Sequence, residues 1–346
     1  MSEELTKPTN GTAVKLTPKD YASDQDVRWC PGCGDYSILA QVQRVMPVFN
    51  IPRENTVFVA GIGCSSRSPY YMNTYGFHGI HGRATAIASG LKMARPDLDV
   101  WVAAGDGDLL SIGGNHFIHI LRRNIDTTIL LFNNRIYGLT KGQYSPTSEH
   151  GKITKSTPLG SVDNPFNPLT LALGAGGTFV ARAMDRDAKH LQDVIIKARN
   201  HRGAAFLEIF QNCNIYNDGA FFLYTEKETK ADYVLFLEHG KPLVFGKQMD
   251  KGIKLEGFKP VVVSLNDGKH NVNDLIVHDE TSKELAYILA QFSTDNGFPL
   301  PMGVLYTEER PCYEDEMQEQ ISSVTQRLGE GDLEKLLHSG NTWVVD

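Results

Sequence analysis

The sequence predicts an α/β protein built on a doubly wound parallel sheet. Short continuous apolar runs, of the kind that buried parallel strands show, occur at residues 56–60, 100–104 and 127–132. A glycine-rich or asparagine-rich turn stands directly after each run, and helical patterns separate the runs. Strands that alternate with helices pair in parallel, and their carboxyl ends then meet at one edge of the sheet, where ligands bind in open α/β folds.

The remaining elements are predicted in chain order. Residues 36–46 show a helical pattern that ends at Pro47, and residues 84–94 are small and apolar enough to pack as a helix against the sheet. The other predicted helices are residues 114–123, 169–173, 188–200, 283–292 and 314–328, and the other predicted strands are residues 178–182, 205–210, 261–263 and 275–277.

The chain divides into three predicted regions. Residues 1–28 lack hydrophobic periodicity and predict a mobile or surface-wrapping arm, and residues 29–224 form the main domain. Charge becomes denser from about residue 225, which predicts a C-terminal extension, residues 225–346, that packs on the sheet or on another subunit. Within the main domain, residues 141–167 carry no periodicity, and because a loop of that length is usually functional, we expect a lid or a partner contact.

Composition excludes several classes of function. The chain has 346 residues and a formal net charge of -7, and no Lys/Arg-rich tract stands out, so it has no electrostatic footprint for nucleic acid. No apolar run is long enough to span a membrane, and the polar N-terminus resembles neither a signal peptide nor a transit peptide. We therefore expect a cytoplasmic protein without a membrane or nucleic-acid partner.

Two oxygen ligands follow the central strands. Asp106 lies between Gly105 and Gly107 after the run at 100–104, and Asn134 follows the run at 127–132. Mg²⁺ prefers such oxygens and is completed by ligand phosphates and water. The glycines allow a tight turn and let a diphosphate approach backbone N–H groups. Either motif alone is more often an ordinary turn, but the two together, each after a strand, predict a magnesium and diphosphate site.

Four of the five cysteines lie in glycine-rich or asparagine-rich turns, namely Cys30, Cys33, Cys64 and Cys213. Cys312 lies in the extension and is expected to serve packing only. Four thiolates can hold either zinc or an iron–sulfur cluster, and spacing alone does not choose between them. Zinc sites tend to pair two Cys-x-x-Cys hairpins, whereas this set is one pair plus two distant singles, which mildly favours a cluster. Because Cys64 follows the first strand, the thiols should neighbour the diphosphate site.

These motifs resemble those of two nested families. Asp106 and Asn134 look like the diphosphate-binding motif of thiamine diphosphate enzymes, in which the Asp, the second Asn and a main-chain carbonyl, here that of Ile136, hold Mg²⁺. Thiamine diphosphate beside four cysteines is the pattern of the 2-oxoacid:ferredoxin oxidoreductases, and residues 29–217 resemble their β subunit. The segments that carry this resemblance are Trp29-Cys30-Pro31-Gly32-Cys33-Gly34, Gly61-Ile62-Gly63-Cys64-Ser65, His81-Gly82-Arg83-Ala84, Gly105-Asp106-Gly107-Asp108 and residues 133–143.

The resemblance implies a fold and an activity. The fold is the diphosphate-domain type of thiamine diphosphate-binding sheet, with a C-terminal extension similar to that of some bacterial 2-oxoglutarate members. The activity is oxidative decarboxylation of 2-oxoglutarate with coenzyme A to succinyl-CoA, CO₂ and reduced ferredoxin, or the reductive reverse. The same chemistry on pyruvate or a broad range of 2-oxoacids is one alternative. A zinc-stabilised, non-redox thiamine diphosphate carboligase and a scaffold subunit with a degenerate crevice are alternatives from other classes.

The resemblance also implies site residues. Cys30, Cys33, Cys64 and Cys213 would ligate one 4Fe-4S cluster. The residues expected to line thiamine diphosphate are Asp35, Ile62, Gly63, Cys64, Ser65, His81, Gly107, Asp108, Gly138, Leu139 and Thr140. For His81 the alternative is a helix-capping or core imidazole, and for Asp35 it is the N-cap of the helix that follows.

Substrate and partners complete the implied picture. Lys141 and Arg67 are expected to bind the distal carboxylate of 2-oxoglutarate, the alternative for each being a solvated charge or a diphosphate counter-ion. No residue of this chain is assigned as a catalytic acid or base, because in this family the cofactor's aminopyrimidine moves protons once a Glu of the pyrimidine-binding domain polarises it. The resemblance places that Glu on an α subunit. The implied partners are therefore an α subunit in an (αβ)₂ assembly, ferredoxin, coenzyme A and a 2-oxoacid.

Overall fold

The computed structural model describes residues 16–345, and its helices and strands form two sheets with helical layers. The strands are β1 (Thr56–Ala60), β2 (Tyr75–His78), β3 (Asp99–Gly105), β4 (Thr127–Asn133), β5 (Phe179–Met184), β6 (Ala204–Phe210), β7 (Val234–Phe236), β8 (Val244–Phe245), β9 (Lys251–Glu256), β10 (Lys259–Ser264) and β11 (Leu300–Thr307). The helices are α1 (Gly34–Val45), α2 (Ser68–Tyr71), α3 (Ala84–Ala94), α4 (Gly114–Arg123), α5 (Pro168–Gly174), α6 (Ala188–Asn200), α7 (Phe222–Thr225), α8 (Lys230–Tyr233), α9 (Lys283–Ala290), α10 (Tyr313–Leu328) and α11 (Leu333–Leu337).

The main sheet has eight strands in the order β2-β1-β3-β4-β6-β5-β11-β7. The first six in this order pair in parallel, which confirms the predicted sheet, whereas β11 runs antiparallel to β5. Strands β8, β9 and β10 form a separate antiparallel sheet. Every residue of β1, β4 and β6 is buried, as expected of strands with a helical layer on each face.

Two hydrophobic cores lie between the main sheet and its helices, one on each face of the sheet. Trp101, Leu130 and Leu207 pack with residues of α1 and α6 on one face. Their neighbours in sequence point to the opposite face, where Leu131 and Phe206 pack with residues of α3, α4, α5 and α9. Burying each such large side chain contributes about 1.5–3 kcal/mol, so the sheet is held rigidly between both layers. This rigidity fixes the loops at the carboxyl ends of its strands.

Most predicted elements are confirmed with small changes of boundary. The helices predicted at residues 84–94, 114–123 and 188–200 have those bounds in α3, α4 and α6. The strands predicted at 56–60, 100–104, 127–132, 178–182, 205–210 and 261–263 correspond to β1, β3, β4, β5, β6 and β10, and the remaining predicted helices correspond to α1, α5, α9 and α10. Residues 141–167 contain no helix or strand, as predicted.

The strand predicted at residues 275–277 is wrong. A 3-10 helix occupies Val272–Asp274, and only Val277 makes an isolated bridge, to Pro242. Leu275 is buried, and its side chain would lie 2.5 Å from a β-carbon added to Gly252 on β9. The apolar run therefore marks a side chain that covers the small sheet, since burial alone does not specify strand pairing.

Both terminal regions contact the main domain. Residues 1–15 of the predicted arm lie outside the described residues. Of its remainder, Tyr21 is fully buried and Ala22 bridges to Met72, so this part wraps the main domain. The extension adds β7 and β11 to the main sheet, and neither strand was predicted. No helix within residues 16–345 has both the length and the apolar character needed to cross a bilayer.

Candidate cofactor site

A cavity of about 110 Å³ opens at the carboxyl ends of β1, β3 and β4. Its wall is formed by the loops that follow these strands, by Asp35 at the start of α1 and by His81 after β2. All eleven residues predicted to line the cofactor lie in this wall, together with Asp106, Asn134 and Ile136. Gly105, Phe132 and Tyr137 also lie in the wall and were not predicted.

Asp106 is buried at the end of β3 and is held by two hydroxyl groups. Its Oδ2 accepts hydrogen bonds from Ser145 Oγ and, at 2.6 Å, from Thr147 Oγ1. Burial raises the pKa of the Asp106 carboxyl, although both hydroxyls oppose this shift. A carboxylate in such a place is stabilised strongly by a bound cation, because the cation offsets the cost of burying the charge.

Asn134 and Ile136 form a tight turn after β4. The backbone N–H of Ile136 donates to Asn134 Oδ1 at 3.1 Å, and Asn134 Nδ2 donates to Gln211 Oε1 at 2.8 Å. No described residue donates a hydrogen bond to the carbonyl oxygen of Ile136. The side-chain oxygen of Asn134 and this carbonyl are therefore compatible with the oxygen ligand set that Mg²⁺ requires.

Asp108 joins the loops that follow three strands. Its Oδ1 accepts hydrogen bonds from the backbone N–H groups of Ile62 at 3.0 Å and Gly82 at 2.7 Å, and it also contacts His81 Nδ1. A β-carbon on Gly61 would lie 2.1 Å from Asp108 Oδ2, so only glycine fits there. The helix-capping alternative for His81 is wrong, because Arg83 occupies the N-cap of α3.

Asp35 is buried beside the cysteines without a hydrogen-bond partner for either carboxylate oxygen. Burial raises its pKa to about 7, although the neighbouring Cys33 acts in the opposite direction. The N-cap of α1 is Cys33, so the N-cap alternative for Asp35 is wrong. An unpartnered carboxyl group in a cavity wall is the state expected of a group that faces a ligand.

The cysteine turns converge beside this cavity. A β-carbon added to Gly138 would lie 3.5 Å from Cys213 Sγ and 3.7 Å from Cys64 Sγ, so this residue of the cavity wall lies close to both thiols. Cys33 Sγ accepts a hydrogen bond from Gln211 Nε2 at 3.2 Å, and Cys30 lies close enough to influence Cys64 electrostatically. Burial raises the pKa of the Cys64 thiol to about 12 and also raises the pKa of Cys33 and Cys213.

The thiols are nevertheless not gathered around one point. Among residues 16–345, no three side chains of His, Cys, Asp or Glu are close enough together to hold a single metal ion. A tetrahedral zinc site needs sulfur atoms about 2.3 Å from one ion, whereas a cluster spreads its four ligands over a larger body. Cys312 is buried at the N-cap of α10 and does not line the cavity, as predicted.

Lys141 and Arg67, the two predicted substrate residues, lie outside the cavity wall. Lys141 is exposed and directly follows the wall residue Thr140, with a positive φ of 76°. Arg67 is partly buried at the end of a 3-10 helix that begins at the wall residue Ser65. Both cations therefore lie one or two residues beyond the cavity, and their contact with a substrate stays a prediction.

Larger clefts elsewhere lack this convergence of chemical groups. One of about 680 Å³ lies near His201 and Arg310, and another of about 820 Å³ is lined by Phe236 and Lys241 in the extension. Neither contains a cysteine or a glycine-rich strand-end turn.

Comparisons with known proteins agree with this geometry. A family model described as the thiamine pyrophosphate enzyme, C-terminal TPP binding domain, matches residues 56–209. The 2-oxoglutarate oxidoreductase subunit KorB of Mycobacterium tuberculosis is 53% identical over 332 residues, which cover 95% of this chain and 88% of that protein. A 2-oxoglutarate synthase subunit KorB of Methanocaldococcus jannaschii is 41% identical over 61% of this chain and 76% of its own length.

A solved structure extends the similarity to the whole fold. It is the 2-oxoglutarate:ferredoxin oxidoreductase from Magnetococcus marinus with 2-oxoglutarate, coenzyme A and succinyl-CoA bound. The similarity has a TM-score of 0.74 and 34% sequence identity, and it covers 95% of this chain and 97% of that one. Its extent includes the C-terminal extension as well as the main sheet.

Proposed function

This chain belongs to the β subunits of the 2-oxoacid:ferredoxin oxidoreductases, and from that premise we propose that it supplies the diphosphate half of a thiamine diphosphate site and one 4Fe-4S cluster for the oxidation of 2-oxoglutarate. One observation carries the proposal: Cys64 and Gly138 belong to the wall that also contains Asp106 and Asn134. The expected cofactor and the thiols thus share one boundary, as electron transfer between them requires.

The diphosphate end of the cavity fits Mg²⁺ and a diphosphate. Asp106, Asn134 and the Ile136 carbonyl offer three oxygen ligands, which leaves positions for diphosphate oxygens and water. Gly63 has a φ of 130° and nothing within 4 Å of its added β-carbon, so a ligand can approach its backbone closely. When bound, thiamine diphosphate supplies the nucleophilic carbon and the electron sink for decarboxylation, and a 4Fe-4S cluster supplies a one-electron acceptor.

The four thiols fit a cluster better than a zinc ion. They come from three separate parts of the chain, and among the described residues no three of their side chains are close enough together to hold a single metal ion. Burial raises the pKa of the Cys64 thiol to about 12, so ligation must offset the cost of burying the thiolate charge. The remaining residues hold the loops: Asp108 fixes the turn that carries Ile62, and His81 pairs with Asp108.

This chain presents no Glu in the described cavity wall, whose carboxyl groups are those of Asp35, Asp106 and Asp108. We therefore place the proton-polarising Glu on the α subunit that the β-subunit family implies. Reduced ferredoxin as product, coenzyme A as acyl acceptor and an (αβ)₂ assembly belong to the same proposal. Lys141, helped by Arg67, is proposed to bind the distal carboxylate of 2-oxoglutarate.

The test is anaerobic purification of the αβ complex, followed by analysis of iron, labile sulfide and zinc. We expect about four iron atoms per β chain and a brown colour that bleaches on addition of 2-oxoglutarate and coenzyme A. Cys213→Ser should lose the cluster, while the matched variant Cys312→Ser should retain it because Cys312 lies outside the site.

Two results would contradict the proposal. Stoichiometric zinc without iron would favour the carboligase alternative, which predicts a colourless protein. An iron-loaded complex that binds no thiamine diphosphate would favour a scaffold subunit.

A further inference from the structure

A short part of the long loop contacts both halves of the proposed magnesium site. Within residues 145–149, Ser145 and Thr147 donate hydrogen bonds to Asp106 Oδ2, at the end of β3. Thr147 Oγ1 also lies 2.9 Å from Asn133 Oδ1, at the end of β4. The single hydrogen of one hydroxyl group is therefore shared between the residue that supplies a carboxylate ligand and the residue next to the amide ligand.

The same segment also contacts the backbone of the turn after β4, between the two proposed ligands Asn134 and the carbonyl group of Ile136. Ser148 Oγ donates to the carbonyl oxygen of Arg135 at 2.6 Å, and Arg135 Nη1 pairs with Glu149 Oε1 at 2.9 Å. Arg135 separates Asn134 from Ile136 in sequence, so these contacts fix the turn that presents both oxygen ligands.

These contacts are shielded from water and connected to a buried ion pair. The exposed fractions of Ser145, Thr147 and Ser148 are 2%, 4% and 3%. Asn133 Nδ2 in turn donates to Glu208 Oε1 at 2.7 Å, and Glu208 pairs with buried Arg182 at 2.7 Å. Charge-assisted hydrogen bonds in such an environment hold their groups more firmly than exposed ones do.

No residue of the 145–149 segment lines the cavity, so its effect on a ligand must pass through Asp106 and the turn after β4. Both hydroxyl groups bind the same carboxylate oxygen, Oδ2, and this fixes the rotation of the carboxylate while leaving Oδ1 without a side-chain donor among the described residues. Groups that orient a metal ligand in this way commonly change metal affinity when they are removed.

We propose that Ser145 and Thr147 are positioning residues for the magnesium–diphosphate site, with the Thr147 hydroxyl keeping Asp106 in register with the turn after β4. The inference rests on the proposed function, since it needs Mg²⁺ at Asp106. Residues 145–149 of the loop thereby acquire a defined role.

The test compares three variants in the intact αβ complex after removal of Mg²⁺ and cofactor. Thr147→Val keeps the side-chain shape and removes the hydroxyl, whereas Thr147→Ser keeps the hydroxyl. Ser161→Ala is the matched control, because Ser161 is a buried hydroxyl of the same loop that donates to the carbonyl oxygen of Glu149 and does not touch Asp106. Calorimetry measures thiamine diphosphate binding across a Mg²⁺ titration, and kinetics give the half-saturating Mg²⁺ concentration and kcat.

We expect Thr147→Val to raise the half-saturating Mg²⁺ concentration roughly 10- to 100-fold, with much of kcat recovered at saturating Mg²⁺. Thr147→Ser should restore tight binding, and Ser161→Ala should resemble the wild type. Should Thr147→Val not assemble, Ser145→Ala removes the other donor to Oδ2 and is expected to weaken Mg²⁺ binding in the same direction.

The two ideas fail in different ways. If the wild-type complex binds no thiamine diphosphate in the presence of Mg²⁺, the proposed function fails. If the wild type binds and the Thr147 and Ser145 variants bind equally well, or if Ser161→Ala is weakened as much as they are, the positioning role is refuted while the proposed function stands.

Discussion

The residue scale

Single carboxylates in this site have distinct roles that depend on which oxygens are already engaged. Asp108 uses Oδ1 to accept two backbone N–H groups from two other loops, so it acts first as a structural link. Asp106 is held by side-chain donors through Oδ2 only. Asp35 has neither oxygen engaged. Asp108 Oδ2 and both oxygens of Asp35 have no hydrogen-bond partner among the described residues, so Asp108 links the loops and can also face a ligand.

Lys141 carries the residue-scale prediction, which concerns the choice of 2-oxoacid. A charge-assisted contact to the distal carboxylate contributes about 1.5–3 kcal/mol, which corresponds to roughly 10- to 150-fold in kcat/KM. We expect Lys141→Ala to lower kcat/KM for 2-oxoglutarate by that factor and to leave kcat/KM for pyruvate or 2-oxobutyrate nearly unchanged. Because φ is already positive at this residue, Ala has the same backbone strain as Lys.

A steady-state panel of 2-oxoacids on the αβ complex measures this effect. Lys155→Ala is the matched control, because Lys155 is an exposed cation of the same loop that lies outside the cavity wall. An equal loss for carboxylated and short 2-oxoacids would assign Lys141 to the cofactor site or to the fold instead.

The sequence was sufficient for the glycine-rich part of the site and insufficient for its supports. Turns directly after apolar runs must lie at the carboxyl edge of the sheet, and the family resemblance implied the individual cofactor-lining residues, all of which lie in the cavity wall. Ser145 and Thr147 come from a loop without periodicity, and nothing in the sequence says where such a loop folds back. Tyr137 was also missed. Its ring packs so closely on Gly107 that a β-carbon there would lie 2.0 Å away, and a local sequence pattern does not indicate such a contact between two loops.

The element scale

Strand β11 shows why some strands of the extension were not predicted. It contains Pro301 and Gly303, both of which weaken a strand prediction, yet all but its last residue are buried in the main sheet. Gly303 has a φ of 121°, and the register with β5 shifts between Val304 and Tyr306. Proline and glycine are tolerated in sheets at such irregular positions. The extension was predicted to pack on the sheet, and two of its strands are in fact part of that sheet.

Helix α10 carries the prediction at this scale. Its apolar residues Ile321, Val324 and Leu328 are 50%, 38% and 72% exposed, so this face is not covered by the described part of its own chain. We propose that the α subunit covers it. The double variant Ile321→Asp with Leu328→Asp should weaken αβ association by about 2 kcal/mol, or roughly 30-fold in Kd, because charged groups would replace a buried apolar contact.

Titration of purified β chain with α subunit, followed by sedimentation velocity, measures the change in Kd. The matched control, Ser323→Asp with Gln326→Asp, adds the same charge to exposed polar residues on the opposite face of the same helix. Unchanged association of the first variant, or equal weakening of both, would show that this face has no specific contact with the α subunit.

The whole molecule

The fold class was predictable because alternation of strands and helices leaves few topologies, but the order of the strands was not. Parallel pairing of the first six strands follows from the helices between them. The placement of β11 and β7 beyond β5 depends on contacts between residues far apart in the chain, such as Gly303 with Arg182. Local patterns contain no information about such pairs, and for that reason the position of β7 and β11 in the sheet could not be predicted.

The last prediction concerns the chain without its partner. The described cavity measures only about 110 Å³ and offers no Glu to polarise an aminopyrimidine, so the purified β chain should not turn over 2-oxoglutarate. Coenzyme A-dependent reduction of ferredoxin should appear only when the α subunit is added, and it should saturate at equal amounts of the two chains. Asp35, whose pKa is raised to about 7, is the one carboxyl group of the described wall that could replace the missing Glu. If the β chain alone oxidised 2-oxoglutarate and Asp35→Asn abolished that activity, the site would be complete within this chain and the proposed division between subunits would be wrong.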